Sequence, residues 1–165
     1  MTTGIRFSLA VVTLASGVAF AQSATFTVKT ITPEAALKAA QAALAKCRAE
    51  GFQVTVAVVD RSGVTQALIR DRFAAPHTVD TAQRKAQTAI NFKMNTAALD
   101  RETQPGKASA AIRNLPHVAA VAGGMVIESA GALVGAIGVS GAPGPANDDV
   151  CAAAGIKAIA EDLEF

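Results

Sequence analysis

The chain has 165 residues, 51% of them hydrophobic and 17% charged, with a formal net charge of +2. That size suits one domain with a single core, and the near-neutral charge without a basic run argues against nucleic acid as the main partner. Tyr and Trp are absent, which argues against sugar-stacking platforms and aromatic cages and leaves alanine and valine to fill the interior.

Residues 1–21 read as a signal peptide. Arg6 is the one cation, Ser8 to Val18 is a mostly apolar run, and Ala19-Phe20-Ala21 is an A-x-A cleavage site, with no acidic residue before Glu34. The apolar run is too short for a comfortable span, which needs about 20 residues. The expectation is export with cleavage after Ala21, hence a periplasmic or secreted protein. Residues 22–31 form a leader with weak alternation at Phe26 and Val28, and residues 32–165 form a single domain.

Thr32-Pro33-Glu34 starts a helix with Thr as N-cap, Pro in the first turn and an acid near the positive end of the dipole; Gly51 stops it. Ala36, Leu37, Ala40, Ala43 and Cys47 make its buried stripe. Phe52 to Asp60 alternates as a strand, Asp60-Arg61-Ser62-Gly63 is a turn, and Val64 to Arg70 is the return strand. After the loop DRFAAPH, Thr78 is expected to cap a helix that buries Val79, Ala82, Ala86, Ala89 and Ile90. Shorter helices begin at Thr96 and Ser109, and Val118 to Val121 reads as a short strand.

Gly123 to Gly144 is the most distinctive stretch. It reads as a hairpin turning at Ala130-Gly131, with Leu133, Ile137 and Val139 on one face of the second arm and the small residues Ala132, Ala136, Gly138 and Ser140 on the other. A face of small residues lets a backbone, a helix or a flat ligand approach closely. Asn147-Asp148-Asp149 then opens a last helix reaching about Asp162. The order of elements predicts an α+β fold: a single antiparallel β-sheet of about five strands, with the N- and C-terminal helices and the middle helices packed on it. No strand–helix unit carries GxGxxG, which disfavours a dinucleotide fold.

Cys47 and Cys151 have no metal-ligand spacing. One lies late in the first helix and the other early in the last, so antiparallel packing would bring them together as a bridge; two buried thiols are the alternative. His77, in a loop at a helix start, is the most informative polar residue, as a candidate iron ligand or general base, or as a loop histidine bonded to a carbonyl. Arg70, Arg72, Arg84 and Lys85 lie near it in sequence and could meet carboxylates. His117 reads as a strand-edge residue, or a second ligand. Met94 and Met125 read as core, Asp60 as a turn cap and Lys85 as a snorkelling or ion-paired lysine. Ser140 in GVSGA fails the G-x-S-x-G pattern and no histidine follows it, which disfavours a serine hydrolase.

Three stretches resemble the GlcG/HbpS family (DUF336, haem-degrading-like). They are VAVVDRSG at Val56–Gly63 with the Arg70-Asp71 pair after it, the helix TVDTAQRKAQTA, and GGMVI followed by GALVGAIGVSGAPG. The resemblance spans Thr32 to Ala160. It implies a GlcG/HbpS-like domain, commonly oligomeric, in a family whose members bind haem and in some cases are described as degrading it. It also raises the prospect that the Lys85 amine faces a pocket. The first reading is therefore an exported haem-binding protein for storage, scavenging or sensing, with haem as candidate cofactor, His77 near the iron and Arg72, Arg84 or Lys85 at carboxylates. An enzyme degrading haem or transforming a small carboxylate, with His77 as acid/base, is the second; a non-catalytic oligomeric accessory module is the third.

Overall fold

A computed structural model describes Met1 and residues 23–164; the expected signal peptide lies almost wholly outside the described residues. The elements are α1 (Pro33–Ala49), β1 (Thr55–Asp60), β2 (Thr65–Arg70), α2 (His77–Phe92), α3 (Thr96–Glu102), β3 (Gly124–Ser129), β4 (Ala132–Ser140) and α4 (Pro145–Ala158). Short 3-10 turns occupy Ala110–Asn114 and Glu161–Leu163. The two hairpins join through their inner strands into one antiparallel sheet of order β2-β1-β4-β3. The sheet has four strands rather than about five. Val118 to Val121 does not join it, because the Ala119 amide donates to the Thr88 hydroxyl and the Val121 amide to the Ala119 carbonyl.

Helices cover both faces. On one, α1 and α4 pack on Val54, Val56, Val58, Ile127, Ile137 and Val139; on the other, α2 presses Ala86, Ala89 and Ile90 against Val59 and Ala136. The small-residue face is thus filled by a helix. At Gly138 an added Cβ would stand 2.1 Å from the Ala82 carbonyl oxygen, so α2 lies directly on the β4 backbone. Cys47 and Cys151 form a disulfide between α1 and α4, with 5.5 Å between the Cα atoms. No helix of the described residues is long and apolar enough to cross a membrane.

Several local expectations change. Ile127 pairs with Gly135 and Glu128 with Leu133, so Val134 is an extra residue. This bulge sends Val134 to the α1/α4 core beside Ile137 and leaves Leu133 on the α2 side. The freed Val134 carbonyl accepts from the Ile31 amide and ties the leader to the sheet. Thr78 is not a cap: it sits in the first turn of α2, buried, with its hydroxyl on the Ala75 carbonyl and 2.7 Å from the Thr55 hydroxyl. The last helix starts at Pro145 rather than Asp148, and Ser109 to Leu115 supplies only a 3-10 turn. Leu37 is 45% exposed, off the buried stripe. Thr32 does cap α1, accepting from the Ala35 amide.

Candidate functional site

An open cleft of about 340 Å³ forms where three connections meet. They are the turn after α1 (Gly51, Phe52, Gln53), the loop into α2 (Phe73, Ala75, His77, Thr78) and the bend after β4 (Gly141, Pro143). Larger hollows of about 420 and 560 Å³ lie around the leader and the C-terminal turn, but neither is lined by a histidine or has an aromatic wall. The chemistry is concentrated in the smaller one.

Each wall is pinned from behind. The guanidinium of Arg48, in the last turn of α1, forks onto Asp71 with Nε–Oδ2 at 2.8 Å and a second bond to Oδ1 at 2.9 Å. Asp71 is 1% exposed, also accepts from the Arg72 amide, and donates its own amide to Val54. The Arg48 hydrogen bond holds the Asp71 carboxyl down at about 2, against the upward push of burial. Arg70 reaches the Ala74 carbonyl and closes the loop on itself. The Phe52 amide donates to the Cys47 carbonyl, which anchors the first wall.

The third wall hangs on a buried ion pair. Lys85 of α2 is 3% exposed, and its Nζ lies 2.7 Å from Asp148 Oδ2 and 2.9 Å from the Val139 carbonyl. The other Asp148 oxygen accepts from Ala142, between Gly141 and Pro143. Asp149 accepts from the Gly123 amide at 2.6 Å. Burial pushes both carboxyls above their ordinary range, and the Lys85 hydrogen bond opposes the rise at Asp148.

Of the sequence candidates, His77 lines the cleft, exposed, with its imidazole free of any hydrogen bond among the described residues; only its carbonyl is engaged, by the Thr81 hydroxyl. Arg72 is exposed beside Phe73, next to the cleft. Arg84 lies seven residues along α2, two turns or about 10 Å from His77 on the same face. Its Nε sits 2.8 Å from Asp80 Oδ2, which offsets its charge. Lys85 is not on a cationic rim: its amine is buried and committed to Asp148, so it shapes the site from within. His117 stands in an exposed turn at φ 65°, outside any strand, and Met94 is exposed rather than core. Asp60 caps its turn as expected, accepting from the Ser62 and Val64 amides. Among the described residues no group of three or more His, Cys, Asp and Glu is placed to hold a metal ion.

Sequence reasoning did not find Phe52, Gln53, Phe73 or the Arg48–Asp71 fork as parts of the site. Phe73 carried a signal: it is the one large apolar residue of the loop DRFAAPH. It is 79% exposed. The Arg48 fork carried none, since only the fold brings the end of α1 to that loop.

Over residues 31–157 the chain matches the family model described as haem degrading protein HbpS-like. The chain belongs to this HbpS-like family. A Citrobacter freundii protein from the dhaT-dhaS intergenic region, itself uncharacterized, is 33% identical over 116 residues, covering 69% of this chain and 82% of its own. The structure of an HbpS double mutant from Streptomyces reticuli is 35% identical with a TM-score of 0.77, covering 87% of this chain and 97% of that one. PduOC, solved as a heme complex, is 26% identical with a TM-score of 0.75, covering 79% and 95%. The HbpS-like relatives thus share the four-stranded sheet between helices, and haem is the ligand associated with the family.

Proposed function

We propose that this protein binds haem, or a closely similar planar acid, in the cleft at His77. The observation that carries the reading is the free imidazole at the start of α2, which shares one cleft with Phe52 and the exposed Phe73. A flat macrocycle gains most from apolar, aromatic walls, and an imidazole is the most frequent protein ligand to haem iron. The residues fit the group: the lining has no acidic side chain to repel its carboxylates, and Arg72 stands next to the cleft. Haem supplies a Lewis-acidic iron; this chain supplies the imidazole, the aromatic walls and the pinned loops that hold them.

The protein works outside the cytoplasm in this reading. The signal-like N-terminus and the Cys47–Cys151 disulfide support it, because such bridges persist in oxidising compartments. Self-association, which the resemblance implies, is part of this reading. The family description favours one further reading, oxidative breakdown of the bound haem.

Titration of the purified protein with hemin tests the proposal. The expected result is a saturable Soret shift that His77→Ala weakens about tenfold or more, with an unchanged melting temperature. No spectral change with the unsubstituted protein ends the reading. Adding ascorbate to the complex separates the two activities: a stable Soret band means holding, and progressive bleaching with iron release means breakdown.

A further inference from the structure

Three side-chain polar atoms among the described residues are buried without a hydrogen-bond partner: Gln53 Oε1, Arg84 Nε and Arg113 Nε. Two belong to guanidinium groups whose charge is met, Arg84 at 2.8 Å from Asp80 and Arg113 at 2.8 Å from Asp100. Gln53 Oε1 has no such compensation, and Gln53 is a wall of the cleft. A buried polar atom left unpaired costs free energy and asks for a reason.

Gln53 is also held in place. An added Cβ at Gly141 would stand 2.7 Å from the Gln53 carbonyl oxygen, so the bend after β4 lies against its backbone. On one side the chain continues into the fully buried Val54, and on the other Phe52 is tied to α1. The cleft lining contains no Lys or Arg, and the Thr78 hydroxyl is already committed to Ala75 and Thr55. A ligand carboxylate entering the cleft itself therefore has the Gln53 amide as its available neutral side-chain donor. With its oxygen turned inward, the amide leaves its NH₂ as the end that a ligand in the cleft can reach, and that nitrogen has no hydrogen-bond partner among the described residues.

We infer that Gln53 is a specificity residue of this cleft, donating a hydrogen bond from its amide to a carboxylate of the planar ligand held at His77. The inference rests on the haem reading and extends it, since it assigns acid recognition to a neutral group inside the cleft rather than to a cationic rim.

The test compares hemin with hemin dimethyl ester, which has the same ring and iron but no free carboxylate, on the disulfide-bonded protein. Gln53→Leu should weaken hemin binding about tenfold, the scale of one hydrogen bond to a charged group, and leave the diester unchanged. The iron-ligation spectrum should stay that of the unsubstituted protein, because His77 is intact. Gln53→Glu should weaken hemin further through like-charge repulsion while sparing the diester. Gln53→Met serves where the leucine variant does not fold. A Leu or Met variant that binds both ligands as the unsubstituted protein does, or loses both equally, overturns the inference while leaving the haem reading standing. Failure of the unsubstituted protein to bind hemin removes both.

Discussion

Arg48 and Lys85 each hold an aspartate behind the cleft, and their surroundings make them behave oppositely. Arg48 is half exposed and its partner Asp71 is buried. The folded-state value of Asp71 is depressed from 3.8 to about 2, so its contribution is fully present above the unfolded value and is lost as pH falls through that interval. Arg48→Ala should destabilise the protein at neutral pH, and its deficit should shrink as pH falls between those two values, as read from urea midpoints along an acid series. Lys85 and Asp148 are both buried. Lys85→Met strands a carboxylate in the core and should cost about 3–5 kcal/mol. The native carboxyl of Asp148 is shifted upward by burial, so the folded state there favours the proton. Acidification should therefore relieve the Lys85→Met variant, and adding Asp148→Leu should recover most of the loss at neutral pH.

At the scale of elements, the fold depends on how closely α2 lies on β4. Gly138→Ala drives a methyl into the Ala82 carbonyl and the Ala86 amide, neither of which is a flexible side chain. It should cost about 3 kcal/mol, at the top of the range for overpacking, with α2 and its His77 end losing amide-exchange protection first. This close approach was legible in the chain as the run of small residues in β4, as were the two hairpins, the capped start of α1 and the turn at Ala130-Gly131. The bulge was not legible, because alternation continues through Leu133-Val134-Gly135 whether or not a residue is skipped. The reading that put Leu133 with Ile137 and Val139 followed from assuming an unbroken period. The site was half legible. His77 advertised itself by residue type and place, whereas Arg48, Gln53 and Pro143 reach it only because three distant connections converge. Lys85 is ion-paired, as one reading of it held, and so is not free to meet a ligand carboxylate: helical spacing gives its angle around α2, and only the position of α4 shows Asp148 as its partner.

For the molecule as a whole, the α1–α4 disulfide is the longest covalent constraint. It joins residues 104 apart in sequence. Closing a loop of that size in the unfolded chain is worth up to about 4.7 kcal/mol on the chain-entropy model, and native bridges in small domains commonly return about 2–5. The Cys47→Ser/Cys151→Ser double variant should lower stability by that amount in denaturant titrations. Because Phe52 follows Cys47 and Pro143 precedes α4, the reduced form should also bind hemin less tightly at temperatures where it remains folded.

In the reading proposed above, one cleft, bounded by the ends of α1, β2 and β4, seats a planar acid against His77. The structure of the hemin complex is the test. The expected complex has iron within bonding distance of a His77 ring nitrogen, the macrocycle against Phe73, and a propionate within hydrogen-bond reach of Gln53. Iron bound elsewhere, with His77 free in the complex, would contradict it.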